Sequence, residues 1–137
     1  ENTETKCTIK KDGLQGRKSK LKIQILATMQ SESNLQSKCV MWFRNEYCRT
    51  NHETPCVIFS VPNENNYNKI NTGVLAGVSD IIVLLENEVL FLEFKTEKGK
   101  QTDKQKAFEK SVGKLGFHYH IIRDFDQFKN LIESYLL

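Results

Sequence analysis

The 137 residues carry 20 Lys and Arg against 17 Asp and Glu, a formal net charge of +3, with 39% hydrophobic and 27% charged residues. That is the length of one domain with enough apolar content for a core, which excludes a disordered chain, and no apolar run nears the roughly 18 residues of a membrane span. A net charge of +3 is too small by itself to argue for a nucleic-acid partner, so the placement of the basic residues has to decide. No apolar block follows a basic start as in a signal peptide, and a soluble, intracellular (cytoplasmic) protein with no membrane partner is expected. Glu1 stands where a methionine would, as expected of a trimmed chain or a piece of a longer one. Cys7, Cys39, Cys48 and Cys56 show no C-x-x-C spacing, which predicts reduced thiols rather than a disulfide framework.

The first 30 residues hold seven basic side chains against three acidic ones. Within them Leu21, Ile23, Ile25 and Ala27 alternate with Lys20, Lys22 and Gln24, the period of a half-exposed strand, and Asp12-Gly13 with Gly16 predict a turn that makes it a β-hairpin. From Ser31 the period becomes helical, with Leu35, Cys39, Trp42, Phe43 and Glu46 on one stripe and Ser31 or Ser33 as cap, the latter in a capping-box pair with Gln36. Cys56 to Val61 reads as a buried strand ending at Pro62-Asn63, and a polar loop follows to Gly77. Asp80 to Leu85 and Val89 to Lys95 are two apolar strands around Glu86-Asn87-Glu88. Thr102 to Leu115 is a helix with Thr102 and Gln105 as capping box and Gly116 at the position after its end. Phe117 to Arg123 is a strand, and Asp124 with Gln127 opens a last helix that turns Phe128, Leu131, Ile132 and Tyr135 inward. The order is helix, three strands, helix, strand, helix, an α/β chain.

The central hairpin has a derivable register. With Glu86-Asn87 as its two-residue turn, Leu84 faces Val89 and Asp80 faces Glu93, so both carboxylates share one face. Lys95, two residues beyond Glu93, projects from that face too. A divalent cation is one way to relieve paired carboxylates at the edge of such apolar strands, because Mg²⁺ favours one or two carboxylates plus water and phosphate oxygens. A cross-strand ion-pair cluster is the other reading of the same spacing.

Gly77-Val78-Ser79-Asp80, Leu92-Glu93-Phe94-Lys95-Thr96 and Gly99-Lys100-Gln101-Thr102-Asp103-Lys104-Gln105 together resemble the VRR-Nuc (virus-type replication-repair nuclease) branch of the PD-(D/E)XK nuclease superfamily. The resemblance extends over residues 31–137, from Ser31-Glu32, Leu35-Gln36 and Trp42-Phe43-Arg44 through Val61-Pro62-Asn63 to Phe117 and the last helix. It implies a restriction-endonuclease-like core in 31–137 with a basic N-terminal extension in 1–30. It also implies Asp80 and Glu93 as metal-binding acids, Lys95 as catalytic lysine, the Phe94 carbonyl as a further metal ligand, Glu32 as a first-helix acid acting on the metal, and Gln105 beside the lysine. Ser79 replaces the family's usual proline, and Glu64-Asn65-Asn66 replaces a glycine-rich stretch after Pro62-Asn63. The activity implied is Mg²⁺- or Mn²⁺-dependent DNA endonuclease cleavage in replication, recombination or repair, on duplex or branched, Holliday-junction-like DNA, with stand-alone relatives acting as homodimers of viral or phage type. A nicking or flap endonuclease, and a non-catalytic nucleic-acid-binding module on the same fold, remain alternatives.

The basic residues gain meaning by position. Between Glu93 and Lys114 seven lysines stand against four acids. Lys98, Lys100 and Lys104, with Asn63, are the expected phosphate contacts, which position a duplex without reading its bases. Glu46 ranks below Glu32 as the helix acid, and His118 with His120, lacking a third ligand, reads as strand packing or solvent contact rather than a metal pair.

Overall fold

The computed structural model describes residues 12–49, 55–62 and 73–137. Helix α1 runs from Asp12 to Phe43, 32 residues and about 48 Å long, and widens into a π-helical turn at Arg44–Cys48. Strands β1 (Val57–Ser60), β2 (Ile81–Leu84) and β3 (Val89–Phe94) precede α2 (Asp103–Lys114), β4 (His118–Ile122) and α3 (Phe125–Leu136). The sheet order is β1-β2-β3-β4, antiparallel except for the β3–β4 pair, whose parallel sense requires the α2 crossover. No helix among the described residues is long and apolar enough to cross a membrane.

The hairpin register follows the sequence. Leu84 pairs with Val89 and Ile81 with Leu92, and the Leu85 N–H closes the turn onto the Glu88 carbonyl at 2.9 Å. Alternation then sorts β3: Leu90, Leu92 and Phe94 face α1 and α3, where they join Cys39, Phe43, Ile58, Val83, Ile122, Phe128 and Ile132 in the core. Phe91 and Glu93 face the other way, toward α2, whose Phe108 ring lies edge-on to Phe91 at 5.7 Å. Trp42 stands at right angles to both Phe125 and Phe128 and locks α1 onto α3.

Four expectations are corrected. The strand at residues 21–27, and with it the hairpin over 12–30, is helix: the Lys/Ile alternation is also compatible with a helical surface, the stretch is rich in Leu, Lys, Gln and Ala, and no proline interrupts it. Leu21, Ile23 and Ile25 are all at least half exposed, so no buried face selects the strand period. Ser31 and Ser33 therefore lie inside α1 and cap nothing. Glu46 is exposed, because the π turn adds a residue and breaks the inner stripe after Phe43. Finally, β1 is an edge strand that buries only Ile58 of its four residues, where a fully buried strand was expected. Asn63 and the segment through residue 72 lie outside the described residues, as do residues 1–11.

Candidate active site

The sheet edge near the end of β3 gathers the polar residues. Glu93 is 1% exposed and its Oε1 receives the Lys95 ammonium at 2.9 Å and the Gln105 side-chain amide. Its other oxygen, Oε2, is buried without a hydrogen-bond partner. Burial pushes the Glu93 carboxyl up to about 7, opposed by Lys95 and reinforced by the nearby carboxylates of Asp80 and Glu32. A buried acid with one unpaired oxygen and two acidic neighbours is the electrostatic setting of a functional carboxylate.

Asp80 occupies the position one step beyond the Ile81–Leu92 pair, which sets it opposite Glu93. Its carboxylate accepts the Phe94 N–H at 2.8 Å and its carbonyl accepts the Val61 N–H at 3.0 Å, so Asp80 ties the ends of β1 and β3 together. Ser79, fully buried, donates its hydroxyl to the Ile81 carbonyl at 3.3 Å, a tether on the segment that leads into β2. Gly77, at φ +87°, lets this segment pass the first turn of α2: a Cβ there would lie 2.5 Å from the Lys104 carbonyl carbon.

Gln105 answers to two elements at once. Its side-chain oxygen accepts the Thr102 N–H at 2.8 Å, completing the capping box with the Thr102 hydroxyl on the Gln105 N–H, while its Nε2 donates to Glu93. The cap and the site contact, which the sequence left as competing readings, coexist.

Glu32 sits in the middle of α1 rather than in its first turn, and its carboxylate accepts the Thr96 N–H at 3.0 Å. The turn after β3 is thereby held from one side. From the other, Arg123 donates one guanidinium nitrogen to the Thr96, Glu97 and Gly99 carbonyls at 2.6, 3.2 and 2.9 Å. Sequence reasoning missed Arg123, because its acceptors are main-chain atoms with no side-chain signature. Lys98, Lys100 and Lys104 are exposed around this turn. His118 and His120 stack at 6.3 Å, with His118 exposed beside Tyr135 and 3.9 Å from the Glu88 carboxylate.

Two solved structures share this architecture. One, a VRR_NUC domain, is 20% identical, with a TM-score of 0.55 over 77% of this chain and 97% of its own. The other, a VRR_NUC domain protein, is 19% identical, with a TM-score of 0.60 over 77% of this chain and 87% of its own. The fold is that of a VRR_NUC domain. No family model and no curated protein matches the chain.

On that VRR_NUC fold the donor set can be set against a divalent cation. Among the described residues no three His, Cys, Asp or Glu side chains gather as a metal-ligating cluster. Mg²⁺ does not require one, since it keeps several waters and takes one or two carboxylates with substrate phosphate. The buried, unpartnered Glu93 Oε2, on a carboxyl that feels the charge of Asp80, fits that demand.

Proposed function

We propose that this chain is a VRR-Nuc nuclease of the PD-(D/E)XK superfamily, a divalent-metal-dependent DNA endonuclease. The observation that carries the reading is Glu93, buried with Oε1 held by Lys95 and Gln105 and Oε2 without a partner, on the face it shares with Asp80. Asp80, Glu93 and the Phe94 carbonyl would hold Mg²⁺ or Mn²⁺, with Glu32 acting on it from α1. When bound, the cation supplies an activated water at neutral pH and offsets charge on the phosphoryl oxygens. Lys95, held 2.9 Å from Glu93, presents its ammonium to the charge that develops in the transition state. Gln105 fixes which Glu93 oxygen stays available. Lys98, Lys100, Lys104 and Asn63 contact phosphates and position the DNA.

Residues 31–137 are the catalytic unit and 1–30 an accessory basic extension in this reading. Its substrate is duplex or branched DNA, cut in replication, recombination or repair, and a two-fold dimer would deliver paired cuts on a junction. The test is a panel of supercoiled, linear, flap, splayed and four-way-junction DNA with Mg²⁺, Mn²⁺ or chelator. Metal-dependent cutting that favours branched forms supports the proposal, and no cutting of any substrate with either metal refutes it.

A further inference from the structure

A second chemical feature lies away from the carboxylates, where α1 gives way to β1. Cys48 closes the π-helical turn and Cys56 immediately precedes β1, and their sulfurs are 3.9 Å apart. Weak sulfur contacts surround the pair: the Cys56 thiol points to the Tyr47 carbonyl at 3.8 Å and the Cys48 thiol to the Cys56 carbonyl at 3.9 Å. A disulfide spans about 2.05 Å, so the sulfurs need to close by about 1.9 Å, a distance that side-chain rotation can supply. The two thiols differ in access: Cys48 is exposed and Cys56 half-buried. The third described cysteine, Cys39, is fully buried in the core, where burial pushes its thiol up to about 12 and withdraws it from thiol chemistry.

We propose that Cys48 and Cys56 form a redox-modification site, converted by an oxidised low-molecular-weight disulfide such as glutathione disulfide into an intramolecular clip between the end of α1 and the start of β1. Cys48, the accessible thiol, loses its proton and attacks one sulfur of glutathione disulfide. That S–S bond breaks, and the first glutathione leaves as a thiolate and takes up a proton. Cys56 then loses its proton and attacks Cys48 Sγ, which breaks the mixed disulfide and releases the second glutathione. Two protein thiols are oxidised by two electrons and one glutathione disulfide is reduced to two thiols. Burial and the neighbouring Cys48 push the Cys56 thiol up to about 11, so its thiolate fraction is small and the exposed Cys48 is the one that attacks first.

The clip would act on a strand already tied at both ends. Arg44 Nη2 donates to the Ile58 carbonyl at 3.3 Å, and the Val61 N–H reaches the Asp80 carbonyl at 3.0 Å. A covalent link at Cys56 fastens β1, and through it the backbone that braces Asp80, to α1. The inference stands independently of the nuclease reading.

The experiment treats the full chain with glutathione disulfide or with dithiothreitol, alkylates the remaining thiols, and reads intact mass, a tryptic map and thermal stability. Arg44, Arg49 and Lys69 place trypsin cuts so that peptides 45–49 and 50–69 are joined only by a Cys48–Cys56 bond. The expected result is that joined pair, loss of two alkylatable thiols, Cys39 unchanged, and a melting temperature raised by about 5 °C or more. Cys48→Ser and Cys56→Ser should each abolish the joined pair and the stabilisation. A stable glutathione adduct on Cys48, a bond from either residue to Cys7, thiols that stay fully alkylatable, or a retained metal ion shielding the pair would each overturn the proposal.

Discussion

The side chain of Gln105 joins the N-terminus of α2 to the buried carboxylate of Glu93, its oxygen on the Thr102 N–H and its nitrogen on Glu93 Oε1. An apolar replacement of similar length removes both contacts and an acidic one keeps only the cap acceptor, so the two together separate the roles. Gln105→Met should cost about 1 kcal/mol through the lost capping bond, with a further loss because one donor to a buried carboxylate disappears. Gln105→Glu keeps the cap acceptor but sets a second negative charge against Glu93. It should retain more helix stability than Met yet lose at least as much cleavage, measured by urea unfolding beside a plasmid-nicking assay.

Arg123 is expected to support DNA binding through the turn it braces. Its one guanidinium nitrogen gathers the Thr96, Glu97 and Gly99 carbonyls, and the turn they form carries Lys98 and Lys100 and meets Glu32. In Arg123→Met the turn loosens and three carbonyl contacts are lost. DNA affinity at low salt should fall several-fold, with a melting temperature only slightly lowered because Arg123 is exposed. Unchanged affinity in a salt titration would show that the turn needs no such brace.

Gly77→Ala should destabilise by more than about 2 kcal/mol. Its φ of +87° disfavours any L side chain, and the added carbon meets the backbone of Lys104 at 2.5 Å, an obstacle that no rotamer change removes. Gly73→Ala, at φ +85° with open space around it, supplies the comparison: strain alone, with a smaller loss. Equal losses from the two would remove the packing argument.

How much of this was legible in the sequence depends on where the information lies. The β2–β3 register followed from alternation around a short turn, and the α2 boundaries followed from Thr102, Gln105 and Gly116, because those signals are local. The long α1 was not legible, since residues 18–25 are exposed on every side and the Lys/Ile alternation alone cannot choose a period. Arg123 and the Glu32–Thr96 bond were also out of reach as geometry: the latter joins residues 64 apart through a main-chain N–H. Strand alternation places Asp80, Glu93 and Lys95 on one face, and the resemblance rather than the spacing chose a site over an ion-pair cluster, whereas the unpaired Oε2 of Glu93 is visible only in three dimensions.

Glu93 also sets a pH dependence in the metal-free protein. Its folded carboxyl is raised to about 7 from an ordinary 4.5, so between those values the folded state holds a proton that the unfolded chain has released. Stability from this group is therefore fully present below about pH 4.5 and is lost as pH rises toward 7, by up to roughly 3 kcal/mol. Burial sets the size of the effect, with Lys95 opposing it and Asp80 and Glu32 adding to it. Glu93→Gln should remove this component, so the difference in melting temperature between variant and parent in chelator should grow with pH over that window. A pH-independent difference would contradict the burial argument.

Asp80, Glu93 and Lys95 are proposed to act as one metal-dependent cleavage site. It is tested most directly by metal-dependent cutting of DNA by the parent chain beside Asp80→Asn, Glu93→Gln and Lys95→Met, with folding and DNA binding measured on the same preparations. The predicted result is cutting by the parent in Mg²⁺ or Mn²⁺ that chelator abolishes. Asp80→Asn and Glu93→Gln should show none, and Lys95→Met a loss on the order of 100-fold or more, all three still folded and still binding DNA. Undiminished metal-dependent cutting by Glu93→Gln, or DNA binding without cutting by the parent in either metal, would contradict it.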